Sequence, residues 1–529
     1  MATPAQTILE GKAILGIELG STRIKAILID SDNRPIAQGS HVWENQLVDG
    51  LWTYSIDNIW TGMQDAYLSL RRDVKEKYDV EIRSLAAIGI SAMMHGYMTF
   101  GKDGEILAPF RTWRCTNTAV AAARLSELFN FNIPLRWSIS HLYQAILNDE
   151  PHVKDIDFLT TLAGYVHWKL TSKKVLGVGD ASGMIPVDPA TGTYNAAMVK
   201  KFEELVQPKG YPWTLSQILP QSLGAGTPAG NLTAAGAALL DPTGTLQPGT
   251  IFCPPEGDAG TGMVATNAVL PGTGNVSAGT SSFSMIVLEK DLSQPYEAID
   301  IVTTPDAHPV AMVHCNNCTS DLNAWVSIFA DFQKLMGRDV DMNDLYGRLY
   351  NHALTGDADC GGVVAYNFVS GEPIVGLAEG RPMVLRTPTA DFSLANLMRA
   401  HLYASLAVLK IGNDILFGKE HVSVSRITGH GGLFKTPVVG QRILAAALNS
   451  PITVMETAGE GGAWGIALLA AYTALNPEGL PLPEYLEKCV FAGAEGTTIA
   501  PEEADTEGFN KYLKAYTASL AAEAAAIKA

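Results

Sequence analysis

One aspartate and three glycine turns are the residues of this chain whose types and spacing could do chemistry. Asp258 stands in Pro254-Pro255-Glu256-Gly257-Asp258-Ala259-Gly260-Thr261-Gly262. Flanking glycines let the backbone approach a bound molecule, so the carboxylate can take a proton from a hydroxyl held about 3 Å away. Aspartate beside glycine also caps turns and helices, and the local sequence fits both roles equally. The turns are Gly20-Ser21-Thr22, Gly279-Thr280-Ser281 and Gly429-His430-Gly431-Gly432. Glycine opens the backbone N–H groups and hydroxyls donate without bulk, which suits phosphate oxygens. A base set among phosphate-holding turns points to phosphoryl transfer, where positioning and charge stabilisation supply most of the catalysis.

The elements that must position these residues can be read around them. Ala13 to Ile17 enters the first turn and Ala26 to Ile29 leaves it; Phe283 to Leu288 leaves the second. Each is a β-hairpin with a donor-rich tip, and two such tips, one per half, could grip a single polyphosphate. The third turn joins a strand to a helix expected over 437–449, a surface able to accept adenosine and its α-phosphate, though such turns also serve close packing. Ala458 to Gly465, ahead of an Ala-rich helix, reads as a packing turn. None of these has the Gly-x-Gly-x-x-Gly spacing of a dinucleotide site. A strand is expected over 85–91, an amphipathic helix over 56–77, helices through 119–170 and a long helix over 393–416. Gly- and Pro-rich loops between 207 and 244 place a boundary near residue 255. The expectation is an α/β chain in two halves, 1–255 and 256–505, with a helical tail over 506–529.

Composition narrows the partners. The chain has 529 residues, 47% hydrophobic and 17% charged, enough for an ordinary core in each half. A net charge of -17 argues against nucleic acid or an anionic membrane as partner. No apolar run approaches the ~20 residues of a membrane span, and Met1 to Lys12 lacks a hydrophobic signal region, so a cytoplasmic protein is expected. Six cysteines are too sparse for a disulfide scaffold and are read as reduced thiols. Cys315-Asn-Asn-Cys318 has no second ligand pair nearby and is read as two small core thiols beside a turn.

Taken in order, these motifs resemble those of the FGGY family of carbohydrate kinases, within the actin-like ATPase superfamily. The resemblance runs from Ala13 to Ala470. The family's G-x-D-x-G-T-[ST] hairpin is similar to Gly16-Ile17-Glu18-Leu19-Gly20-Ser21-Thr22, and its S-x-G-T-S hairpin to Ser277 through Ser281. Its catalytic G-D-x-x-G segment resembles Gly257-Asp258, and its glycine-rich adenosine loop resembles Gly429 to Gly432. The resemblance implies two actin-like (ribonuclease H-like) domains with a central cleft, ATP and Mg²⁺ as cofactors, and a small sugar as substrate. It implies Asp258 as the base that takes the acceptor proton. Around ATP it implies Gly20, Ser21, Thr22 and Lys25 from the first hairpin, Gly279 and Thr280 from the second, and Gly431, Gly432 and Thr436 at the adenosine. Met93-Met94-His95-Gly96 is similar to the Gln-Met-His-Gly segment of the xylulose kinases, which implies Met94 and His95 in the sugar pocket.

Several departures modify what is implied. The family's Trp-Asn-Asp corner reads Trp113-Arg114-Cys115 here, so Trp113 is kept for stacking on a sugar face or covering the core, and the acid is lost. Gly179-Asp180-Ala181-Ser182-Gly183 resembles a Ser-Asp-Ala-Ala-Gly segment, and Asp180 is read as turn-forming. Glu18 replaces the family's aspartate, which moves the carboxylate by about 1.5 Å yet keeps water-mediated Mg²⁺ contact feasible. Ser370-Gly371-Glu372-Pro373 lacks the family's Arg-Thr pair. The implied activity is phosphorylation of a terminal hydroxyl of a pentulose such as xylulose or ribulose, or of a related ketose or polyol. Two other classes stay open: an actin-like ATPase that clamps a protein, and a sugar-binding regulator with weakened catalysis. A homodimer is compatible with each.

Overall fold

In the computed structural model, residues 3–459, 461–476 and 478–528 are described. The chain divides by compactness into two units: 1–269 with 301–310 and 460–493, and 270–300 with 311–459 and 494–529. The division therefore departs from a single cut near 255. Residues 256–269 stay with the first unit because Glu256–Gly257 pairs with the strand Ala87–Ala92. The helix Gly461–Leu475 returns there because it packs on Ile14–Leu19, Ala87–Ala92 and the helix Asp258–Ala265. The turn expected over Ala458 to Gly465 contains Glu460, which lies outside the described residues.

The first unit is built on a sheet ordered Ile251–Phe252, Ala87–Ala92, Ile14–Leu19, Arg23–Ile29, Pro35–Val42. Ile14–Leu19 is buried along nearly its whole length, as expected for an apolar strand covered on both faces. It runs antiparallel to Arg23–Ile29, with Glu18 opposite Lys25, and parallel to Ala87–Ala92, with Glu18 opposite Ser91. Glu256–Gly257 is also parallel to Ala87–Ala92. The carboxyl ends of these three strands, which lead into Gly20, Met93 and Asp258, thus meet at one edge of the sheet. That is the edge where open α/β sheets bind ligands. One face is covered by the helix Ile56–Tyr78, capped by Ser55 and closed by left-handed Asp79. Its buried Ile59, Met63, Ala66, Leu70 and Val74 recur at helical spacing.

The second unit carries the strands Ser282–Val287, Thr273–Ala278, Arg426–His430, Ile452–Met455 and Gly496–Ile499 in that order. Thr273–Ala278 runs parallel to Arg426–His430, which brings the second hairpin beside the third glycine turn. The helix Leu394–Asp414 is buried nearly all round. After His430 the chain makes a 3-10 turn over Gly432–Lys435 before the helix Val439–Leu448, two residues later than the sequence suggests. The C-terminal helix Glu503–Ala526 docks through Phe509, Tyr512 and Tyr516, and its Asp505 takes hydrogen bonds from buried Arg399 (2.6 Å) and from Arg442 (2.5 Å).

Candidate functional site

At the carboxyl edge of the first unit's sheet, four acidic side chains (Glu18, Asp180, Glu256, Asp258) are set in a nest of backbone donors and glycines, each with a raised pKa. Asp258 opens the helix Asp258–Ala265, and its Oδ1 accepts the Met94 N–H at 3.1 Å. Glu256, two residues earlier, is buried and accepts from Gly179 N (3.3 Å) and Asp180 N (2.9 Å). Those glycines are required: a Cβ on Gly177 or Gly179 would come within 2.2 or 2.5 Å of the Glu256 carboxylate. Asp180 is buried in the short helix Val178–Ala181, with Oδ2 accepting from the Thr161 hydroxyl at 2.6 Å. Glu18 accepts the Ala463 N–H at 3.2 Å near the start of the helix Gly461–Leu475.

Burial dominates the electrostatics of this nest. It pushes Glu256 up to about 8, with the Asp180 charge adding to it, and Asp180 up to about 7, with Asp258 adding. Glu18 rises to about 7 through burial and its neighbour Asp258, with Lys25 opposing; Asp258 rises to about 6 through burial, with the N–H of Met94 opposing. A carboxyl whose folded pKa lies above its unfolded one stabilises the fold below the unfolded value and loses that contribution as pH rises through the folded value. Here the loss runs from about 4 up to about 8, the raised value of Glu256. The metal-free protein is therefore expected to melt at least about 5 °C lower at pH 8 than at pH 5. Glu256→Gln should flatten that slope in a calorimetric pH series; an unchanged slope would show that Glu256 is not the group that ionises.

The acceptor-side residues expected from the sequence gather here. Met94 supplies the N–H that holds Asp258. His95 adopts a left-handed φ of +70°, a strained conformation for this residue type that the surroundings must impose. Its Nδ1 lies 3.1 Å from the Gly183 carbonyl, so Nδ1 carries the proton, and its ring stacks on Trp137. A Cβ on Gly183 would clash with both His95 Nδ1 (2.6 Å) and Met94 Cε (2.7 Å). Trp113 does something the sequence did not indicate: its indole N–H donates to Ser21 Oγ at 3.1 Å, so it braces the first hairpin tip. Ser21 then keeps its own O–H for donation outward.

Both hairpin tips are braced from behind through their carbonyls. Gly20 O accepts from the Trp43 indole at 2.7 Å and Ser21 O from the Tyr54 hydroxyl at 2.5 Å. In the second unit, Gly279 O accepts from Thr319 N and Oγ1, and Thr280 O from Cys318 N. Tying back these acceptors removes oxygens that would repel an anion and leaves the exposed Thr22 and Thr280 side chains facing outward. Trp43, Tyr54, Cys318 and Thr319 lie far from the tips in sequence, and no local signal marked them. Gly279 has open space where a Cβ would sit, while Gly431, at φ +102°, would drive a Cβ to 2.6 Å from the Ala278 carbonyl. Gly431 and Gly432 are exposed beside that hairpin, and Thr436 is half-buried at the end of the turn.

Among the described residues, no group of three His, Cys, Asp or Glu side chains is close enough to hold a metal ion alone. The donor set suits a hard cation held by few protein ligands and many waters. The charge of Asp258 raises the cost of ionising Glu18, and Lys25 is the opposing cation acting on Glu18. A divalent ion would relieve that repulsion. Room for the longer Glu18 comes from Gly462, where a Cβ would lie 2.2 Å from Oε1.

Comparison with known proteins gives a consistent picture. Residues 13–240 match the profile of the N-terminal domain, and 274–474 that of the C-terminal domain, of the FGGY family of carbohydrate kinases. The chain is 22% identical over 484 residues to a xylulose kinase of Haemophilus influenzae, covering 88% of this chain and 91% of that one. The fold is shared with a ligand-bound xylulose kinase from Lactobacillus acidophilus (TM-score 0.78, 17% identity, 97% and 98% of the two chains). It is shared equally with a gluconate kinase from the same organism (TM-score 0.78, 18% identity, 97% and 98%).

Proposed function

The chain belongs to the FGGY family of carbohydrate kinases, and from that premise we propose that it moves the γ-phosphoryl group of ATP to a terminal hydroxyl of a small sugar. The acceptor we favour is a pentulose such as xylulose or ribulose, or a related ketose or polyol. The observation that carries this reading is Asp258, held by the Met94 N–H and set among His95, Asp180 and Glu18 at the carboxyl edge of the sheet.

In this reading Asp258 takes the proton of the attacking hydroxyl, while Met94 and His95 line the acceptor and Trp113 fixes Ser21. Asp258 must be ionised to act, so the rate should climb as pH rises through its value of about 6. Ser21, Thr22 and Lys25, with Gly20, serve the phosphates from one hairpin, and Gly279 and Thr280 from the other. Gly431, Gly432 and Thr436 receive the adenosine. Glu18 would hold Mg²⁺ through water, and the ion would neutralise charge on the transferred phosphoryl group. The sugar-binding role and the first phosphate hairpin belong to 1–255 and the ATP-binding role to 256–505, except that Asp258 serves the acceptor. A reaction fed by ATP is placed in the cytoplasm.

The test is ADP release with a panel of pentuloses, hexuloses, sugar acids and polyols. At least one acceptor should raise turnover about 10²-fold or more above the slow hydrolysis expected when water alone reaches the phosphate. No stimulation by any acceptor would overturn the kinase reading and favour a nucleotide-driven clamp or a regulator.

A further inference from the structure

Asp180, read from the sequence as a turn former, is 1% exposed and sits in the acid nest. Its Oδ2 is satisfied by Thr161, but Oδ1 is buried and has no hydrogen-bond partner. No cation is among the groups that act on it; the charge it feels is that of Asp258. A buried acceptor oxygen left without a donor is costly, so such an atom is expected to have a partner in the working state. The direction in which Oδ1 faces is fixed by Gly257. A Cβ there would lie 3.2 Å from Asp180 Oδ1 and 2.8 Å from Met94 Cγ, so the carboxylate and Met94 both close on Gly257, the residue before Asp258.

The rest of Asp180 is held firmly. Glu256 accepts from its backbone N–H and from that of Gly179, and Ser182 and Gly183 close the turn through Gly179 O and Asp180 O. A rigid, buried carboxyl oxygen without a counter-charge suits a neutral donor, and a sugar hydroxyl is such a donor.

We propose that Asp180 is a specificity-determining residue, its Oδ1 accepting a hydrogen bond from one hydroxyl of the acceptor other than the one that is phosphorylated. This rests on the kinase reading above. The partner it selects is a polyhydroxylated acceptor carrying a hydroxyl at one fixed distance from its reacting end.

The experiment measures kcat/KM for the best acceptor and for each of its monodeoxy analogues, with the wild type, Asp180→Ala and Asp180→Asn. In the wild type, one analogue that keeps the reacting hydroxyl should lose about 10- to 100-fold. In Asp180→Ala that analogue and the parent sugar should be used within about 3-fold of each other, because the two changes remove the same contact. Asp180→Asn keeps the shape and the Thr161 bond, should melt no lower than the wild type at pH 7, and should shrink the same penalty. If every deoxy penalty persists at full size in both variants, Asp180 does not touch the sugar, while the kinase reading stands. If no acceptor stimulates the wild type, both fall together.

Discussion

Asp258→Asn is expected to cut sugar phosphorylation by at least about 10²-fold while ATP binding is retained. The substitution isolates one function of the side chain. Asparagine keeps a carbonyl oxygen at the position of Oδ1, so the Met94 N–H at 3.1 Å keeps its acceptor and the start of the helix Asp258–Ala265 keeps its shape. What is lost is the ability to take a proton, together with the charge that presses on Glu18 and Asp180. The variant should therefore be no less stable than the wild type at neutral pH. Its kcat should fall while nucleotide affinity, read by calorimetry, changes little. Turnover like that of the wild type would remove Asp258 from its role as base.

Gly462→Ala is expected to lower kcat by about 10-fold or more and to shift the Mg²⁺ concentration that supports half-maximal rate. A Cβ at 462 would lie 2.2 Å from Glu18 Oε1 and 2.8 Å from Thr261 Oγ1, too close for any atom to remain where it is. Glu18 would have to leave the Ala463 N–H and swing within the acid nest, next to Asp258. The substitution at 462 does not touch the first hairpin's own backbone, so the effect would pass through the carboxylate. Glu18→Asp shortens that side chain and should relieve the clash. The double variant Glu18→Asp with Gly462→Ala should then recover part of the rate lost by Gly462→Ala, a coupling that a titration of rate against Mg²⁺ would read. Strictly additive losses would mean that Gly462 does not make room for Glu18, and a metal dependence unchanged in Glu18→Asp would sink its proposed contact with Mg²⁺.

How far the sequence reveals this molecule depends on the range of each interaction. Both hairpins are legible because alternating apolar strands around a Gly-hydroxyl turn form locally, and they occur at Ile14–Ile29 and Thr273–Val287. The helix Ile56–Tyr78 is legible from its apolar period and its Ser55 cap. The helix Gly461–Leu475 is apolar on every side, so its pattern reveals burial but not against what. It returns to the first unit because Gly16, Gly89 and Gly465 let backbones approach there, a fit that only the folded chain discloses. Asp180 forms the turn expected of it, but its wider setting is hidden for a related reason. Aspartate between Gly179 and Ala181 looks like a turn former, yet its burial and its unpartnered oxygen arise from Thr161 and Glu256, both distant in sequence. Trp113 showed a stacking surface in the sequence, whereas the bond its indole makes to Ser21 depends on register between separate segments. Asp258 was legible as a candidate because glycines flank it, but its hold on the Met94 N–H was not.

Phosphate is expected to pass from ATP to a sugar hydroxyl deprotonated by Asp258. The most direct measurement follows the label from γ-³²P-ATP in the wild type and Asp258→Asn, across the acceptor panel, by separating sugar phosphate from inorganic phosphate. The expected result is label in the phosphorylated form of at least one acceptor with the wild type, reduced by at least about 10²-fold in the variant. Label released only as inorganic phosphate, at one rate whatever the acceptor and equally in both proteins, would contradict it.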